Sequence, residues 1–106
     1  MYQVQITDQA VQDMQETAAY IRTTLHNPAA AMHLLDEAEQ SLYSLSDFPY
    51  RNPLVKDAFL ATNGIRIQII NNYLAVYTIR EQTKTAVILR FLHCRRDWMS
   101  ILKSDD

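Results

Sequence analysis

"IRIQIINNYLAVYTI", residues 65–79, decides the fold: two runs rich in Ile, Val and Tyr are joined by Asn71 and Asn72. β-Branched and aromatic residues favour extended chain, and asparagine tolerates the positive φ of a tight turn, so the stretch predicts a β-hairpin. A two-residue turn also sets the register. Ile70 is expected opposite Tyr73, Gln68 opposite Ala75 and Arg66 opposite Tyr77, and opposed side chains share a face. Ile65, Ile67, Ile69, Leu74 and Val76 take the other face, which is wholly aliphatic and is expected to lie on helices.

The first half of the chain supplies those helices. "YQVQI" at 2–6 alternates apolar and polar residues, the period of a half-buried strand, and Thr7 or Asp8 then offers an N-cap. Val11, Met14, Ala18, Ile21 and Leu25 follow at helical spacing. Asn27 and Pro28 restart the chain, since Asn caps well and Pro is tolerated at the first helical position. Ala31, Leu34, Leu35, Ala38, Leu42 and Leu45 form a second stripe, so the two helices make an antiparallel hairpin. Residues 46–64 read as a long connection with a short element near 56–61, and Gly64, the sole glycine, supplies a backbone angle before the β-hairpin. "EQTK" makes a second turn before "TAVILRFLH", and Trp98, Ile101 and Leu102 mark a short final helix. The expected architecture is α+β, in the order β-α-α-β-β-β, with an antiparallel helical hairpin packed on an antiparallel sheet and a short C-terminal helix.

With 106 residues and 48% hydrophobic content, residues 1–106 are expected to form one domain. No apolar run is long enough to cross a membrane and no signal peptide is evident, so a cytoplasmic protein is expected. Cys94 is the single cysteine and no Cys/His spacing resembles a metal site, so neither a metal nor a cofactor is expected. The net charge of −2 lacks the strong basic excess usual in general nucleic-acid binders. Its distribution is uneven. Residues 1–50 hold one cation, Arg22, against seven acids, whereas residues 51–106 hold nine cations against five acids. An anionic partner should therefore meet the second half.

Alternation along the last strand puts Val87, Leu89 and Phe91 with the aliphatic face, leaving Ile88, Arg90 and Leu92 beside Arg66. The outer face is then expected to carry Arg66, Gln68, Tyr73, Tyr77 and Arg90 at the surface, bordered by His93, Arg95 and Arg96 where the strand ends. Replacing Arg66 and Arg90 should leave folding nearly intact, as at other surface sites. An acidic partner segment is expected across this face.

These pieces resemble the RelE/ParE family of type II toxin–antitoxin toxins, including plasmid stabilisation proteins. The likeness rests on "AAYIRTTLHNPAAAMHLLDEAEQSLYSLSDFP", "NGIRIQIINNYLAVYTI" and "VILRFLHCRRDW", and so spans nearly the whole chain. The resemblance implies a growth-inhibiting toxin neutralised by a cognate antitoxin. Its target is either messenger RNA on the ribosome, cut by an mRNA endonuclease, or DNA gyrase, inhibited without nuclease activity. A module acting only through protein contacts is a third reading. For cleavage, attack by the RNA's own 2′-hydroxyl needs a base, an acid and positive charge at the phosphate. His93 would transfer a proton, with Arg66, Arg90, Arg95 and Arg96 supplying charge and Gln68, Tyr73 and Tyr77 contacting substrate or antitoxin. This nuclease reading is placed first. Three positions differ from the pattern common in RelE-like chains. Leu74 stands where an arginine usually follows the hairpin tyrosine, Gln68 replaces one of a basic pair, and Asp97, Trp98 and Met99 occupy the stretch where a tyrosine often follows.

Overall fold

The computed structural model describes residues 1–104; Asp105 and Asp106 lie outside it. In chain order the elements are β1 (Gln3–Ile6), α1 (Asp8–Ala19), α2 (Pro28–Tyr43), α3 (Ala58–Thr62), β2 (Arg66–Ile70), β3 (Tyr73–Arg80), β4 (Thr85–His93) and α4 (Trp98–Ser104). The Thr7 hydroxyl caps α1 by accepting from the Ala10 N–H, and the Asn27 carboxamide caps α2 by accepting from the Ala30 N–H, with Pro28 opening the first turn. Between them α1 widens into a π-type turn over Tyr20–Thr24, and His26 enters the left-handed region at φ 52° to reverse the chain.

The strands form one sheet in the order β1-β4-β3-β2. The β2–β3 hairpin has the expected register, with Arg66 opposite Tyr77, Gln68 opposite Ala75 and Ile70 opposite Tyr73, and Asn71 takes the positive φ of 55°. β4 returns antiparallel to β3. β1 runs parallel to β4, which makes the sheet mixed. Gly64 sits at φ +74°, where a Cβ would also come within 3.0 Å of the Thr78 hydroxyl, so both strain and space select glycine there.

The two faces are covered in the opposite sense from the sequence expectation. The helical hairpin lies on the Tyr77 face: Ile70, Ala75, Tyr77, Ala86, Ile88 and Phe91 join Ala10, Ala18, Ile21, Ala31, Leu34, Ala38 and Leu42 in one core cluster. The aliphatic face carries a second, smaller core in which Ile65, Leu74, Val76 and Leu92 pack under Leu60 of α3 and Trp98, Ile101 and Leu102 of α4. The reason is steric and polar together. Alanines on both helices and at positions 75 and 86 let the layers approach closely, and the fully buried Tyr77 satisfies its hydroxyl by donating to the Pro49 carbonyl at 2.6 Å. Arg66, Gln68, Tyr73 and Tyr77 therefore do not form an open outer face for an acidic segment to cross. The first stripe holds at Ala18 and Ile21, but at the start of α1 Ala10 and Asp13 are buried and Val11 is exposed, and Leu25, beyond the helix, is exposed as well.

A β-bulge breaks the alternation of β4. Val76 pairs with Arg90 but Tyr77 pairs with Ile88, so Leu89 is the extra residue. Beyond it every side chain changes face. Phe91 enters the helical-hairpin core and Arg90 leaves the sheet on the Val76 side, opposite Arg66.

Candidate functional site

The residues singled out in the sequence fall into three groups. At one end of the sheet, Arg66 donates to the Asn52 carbonyl at 2.5 Å and lies over the Tyr50 ring at 5.0 Å. Asn52 knits its neighbours together, its side-chain amide donating to Gln68 Oε1 at 2.6 Å and to the Tyr77 hydroxyl at 3.2 Å. Gln68 in turn donates to the Ser41 hydroxyl of α2 at 2.9 Å. Burial pushes the Tyr77 phenol up from its ordinary value. Gln68 and Tyr77 are thus committed to holding the loop over residues 49–52 against the sheet.

That loop brings in residues the sequence did not single out. Glu81, just after β3, accepts from Lys84, from the Tyr50 hydroxyl, and from the Tyr2 hydroxyl at 2.9 and 3.1 Å. These donors, Lys84 first, hold its carboxyl down to about 2. Tyr2 and Tyr50 meet edge to face at 6.2 Å. The result is a partly exposed row in which two cations, Arg66 and Lys84, flank the paired rings of Tyr50 and Tyr2. Tyr2 and Tyr50 are far apart in sequence and share no period, so nothing local announced the cluster.

The second group is Arg90. Its guanidinium meets the Asp13 carboxylate of α1 at 2.8 and 3.1 Å, and the same carboxylate accepts the Phe91 N–H at 3.0 Å. β1 ends at Ile6, so Asp13 takes over the edge of β4 where a strand partner stops. The pair is buried, with the two side chains 13% and 6% exposed. Asp13 carried a readable signal: an acid between Ala10 and Met14 and four residues before Thr17 lies on the inward stripe. Of the proposed site residues, Arg90 alone lines a cavity of about 570 Å³ walled by Phe59, Leu60, Leu89 and Leu102.

The third group lies where β4 ends. Tyr73 stacks on Phe91 at 5.3 Å and meets the His93 ring edge to face at 5.1 Å, and burial raises its phenol. His93 Nδ1 accepts the Arg95 N–H at 3.0 Å, and the His93 carbonyl accepts the Arg96 N–H at 3.0 Å. The Cys94 N–H donates to the Asn72 carbonyl at 2.8 Å. This tied-down turn presents the Arg95 and Arg96 side chains to solvent. It answers to the opposing strand in register, since His93 faces Tyr73.

The three groups do not converge. Arg66 pairs with Tyr77 and His93 with Tyr73, four residues along β3, which at strand geometry is about 13 Å along and about 10 Å across the sheet. Among the described residues no group of three or more His, Cys, Asp and Glu side chains could hold a metal. No helix is long and apolar enough to cross a membrane.

Comparison with known proteins agrees with the geometry of the fold. Residues 4–98 match the family described as the ParE toxin of the type II toxin–antitoxin system parDE. A chain from the chromosomal ParDE system of Pseudomonas aeruginosa superposes with a TM-score of 0.72 at 15% identity, over 88% of this chain and 96% of that one. A chain of the RelBE2 toxin–antitoxin complex of Mycobacterium tuberculosis gives 0.57 at 25% identity, over 87% and 96%. No curated protein matches the sequence at a significant level.

Proposed function

Because the chain belongs to the ParE toxin family of type II toxin–antitoxin systems, we propose that it arrests growth by binding a protein target, DNA gyrase, and is neutralised by an antitoxin. The observation that carries this choice over RNA cleavage is that Arg66 and Arg90 stand apart from the strand-end turn that holds His93, Arg95 and Arg96. A 2′-hydroxyl attack needs base, acid and phosphate-stabilising cation within hydrogen-bond reach of one phosphate. Here Arg66 lies about 16 Å from His93 by strand geometry, and Arg90 is engaged by Asp13 on the other side of the sheet. His93 Nδ1 is occupied by the Arg95 N–H, a contact that shapes the turn. Leu74, where RelE-like chains commonly have arginine, is buried at 2% exposure, so no cation is offered there.

What the strand end does offer suits a protein interface: Arg95 and Arg96 exposed on a rigid turn, with Met99 41% exposed beside them on α4. The test is a pair of assays on the purified chain, gyrase supercoiling and cleavage of ribosome-bound message. Supercoiling inhibited without cleavage is the expected result. Cleavage without inhibition of gyrase would return the nuclease reading to first place.

A further inference from the structure

We propose that the target protein docks on the corner formed by α3, α4 and β4, where an acidic segment of the target seats one apolar side chain in the cavity beside Phe59. This rests on the gyrase reading above and specifies the surface and the chemistry by which such a target is held. The cavity, about 570 Å³, has a structural cause. β1 pairs with β4 only as far as Ile88, and the bulge that follows takes Leu89 out of the regular alternation and into the cavity wall. Phe59 and Leu60 of the short α3, Ile65 and Leu102 of α4 complete the apolar wall. The polar groups beside them are engaged within the chain. The Thr7 hydroxyl donates to the Leu89 carbonyl, the Gln9 amide and Arg90 to Asp13, and the Asn63 amide to the Phe59 carbonyl. The cavity therefore offers chiefly apolar surface, and a large aliphatic or aromatic side chain seated in such a pocket is the kind of anchor that dominates a protein interface.

The apolar surface continues outside the cavity. Phe59 is 52% exposed and Met99 41% exposed. Met99 lies three residues before Leu102, one turn away on the same flank of α4. A row thus runs from the Arg95 and Arg96 turn, over Met99, to the cavity mouth. The cations around it define the charge of the partner. On α3, α4 and the turns that lead into them, the described residues include Lys56, Arg95, Arg96 and Lys103 against two acids, Asp57 and Asp97. Both acids act locally: Asp57 caps α3 and pairs with Lys103 at 2.7 Å, and Asp97 accepts the Ser100 N–H at the start of α4. The anionic partner expected for the basic half of the chain finds its cations here, around an apolar centre of the composition that protein interfaces favour.

A second copy of this chain fits poorly. Two-fold pairing through this corner would set the four cations against the same four.

The experiment uses purified gyrase, the full chain and the product of the reading frame beside its gene. In the complex of the parent with gyrase, oxidation of Met99 by peroxide should slow by about 10-fold, whereas Met32, 68% exposed on α2, should react as in the free chain. Phe59→Ala should weaken supercoiling inhibition by about 10-fold and Phe59→Asp by about 100-fold, with Phe59→Lys close to the alanine variant, because charge repulsion adds to the lost contact only for Asp. All three should keep a urea midpoint close to that of the parent and an antitoxin affinity within about two-fold of it. Unchanged Met99 oxidation in the complex overturns the proposal without need of any variant, as does a folded Phe59→Asp protein that inhibits gyrase like the parent. Equal losses with Asp and Lys would overturn the acidic chemistry of the partner. Antitoxin binding lost in step with gyrase inhibition would assign the corner to the antitoxin instead, and a concentration-dependent toxin dimer that Phe59→Asp abolishes would assign it to self-association. If the parent neither binds nor inhibits gyrase, the gyrase reading itself falls and this proposal with it.

Discussion

Asp13 and Arg90, 77 positions apart, form a buried two-point ion pair at 2.8 and 3.1 Å whose carboxylate also holds the Phe91 amide. Removing one member of a buried pair leaves the other charged and unpaired, which costs about 3–5 kcal/mol. Asp13→Ala should show a loss of that size in urea unfolding, and Arg90→Ala a substantial loss too. Loss of toxicity in an Arg90 variant would accordingly report on folding. If Arg90→Ala keeps the parental urea midpoint, the ion pair does not hold α1 to β4, and the expectation from the sequence that Arg90 is dispensable for folding would be restored.

Tyr77 belongs to the same reassignment, from a contact residue to a core residue. Its hydroxyl donates to the Pro49 carbonyl and accepts from Asn52. Tyr77→Phe keeps the ring and strands the carbonyl, so stability should fall by about 1–2 kcal/mol. Growth arrest at a temperature where the variant is folded should be retained. A folded Tyr77→Phe protein without toxicity would place the hydroxyl in the functional surface after all.

Much of this architecture was legible. Asn71-Asn72 fixed the pairing of Arg66 with Tyr77, and Asn27-Pro28 marked where α2 begins, because turn and cap chemistry are local. The choice of covered face was not local. Both faces of the hairpin carry apolar residues, and the deciding facts are a Pro49 carbonyl that receives Tyr77 and the alanines that admit the helices. The bulge at Leu89 was also silent, since no glycine or proline marks it, and missing it put Arg90 on the wrong side. The cluster around Glu81 depends on three segments meeting in space.

Glu81 gives a pH prediction. Its folded value, about 2, lies below the ordinary carboxylate value of 4.5 because Lys84, Tyr50 and Tyr2 donate to it. A group depressed on folding stabilises the native state above its unfolded value, and that contribution disappears as pH falls towards the folded value. The thermal midpoint of the parent should therefore exceed that of Glu81→Gln at pH 6, and the gap should close between about pH 4.5 and pH 2. A gap that is constant with pH would mean that the Glu81 charge does not tie the Tyr2 and Tyr50 segments to the sheet.

The strand-end residues separate binding from catalysis. His93 accepts the Arg95 N–H and packs on Tyr73, so its part in a binding surface is to set the turn that presents Arg95 and Arg96. Asn carries its Oδ1 as many bonds from Cβ as His carries Nδ1, so it can accept the same hydrogen bond without being able to transfer a proton. His93→Asn should therefore leave gyrase inhibition within a few-fold of the parent. Arg95→Ala with Arg96→Ala removes two exposed cations at the rim of the surface, where charge acts chiefly on the association rate and its salt dependence. Inhibition should weaken by about 10-fold at low salt, with a shallower dependence on ionic strength than the parent shows. A nuclease would behave in the opposite order. Loss of a positioned proton-transfer group typically costs about 100- to 10,000-fold in rate, so a His93→Asn protein that binds its target normally but loses activity on that scale would put His93 in the chemistry and sink the binding-only reading.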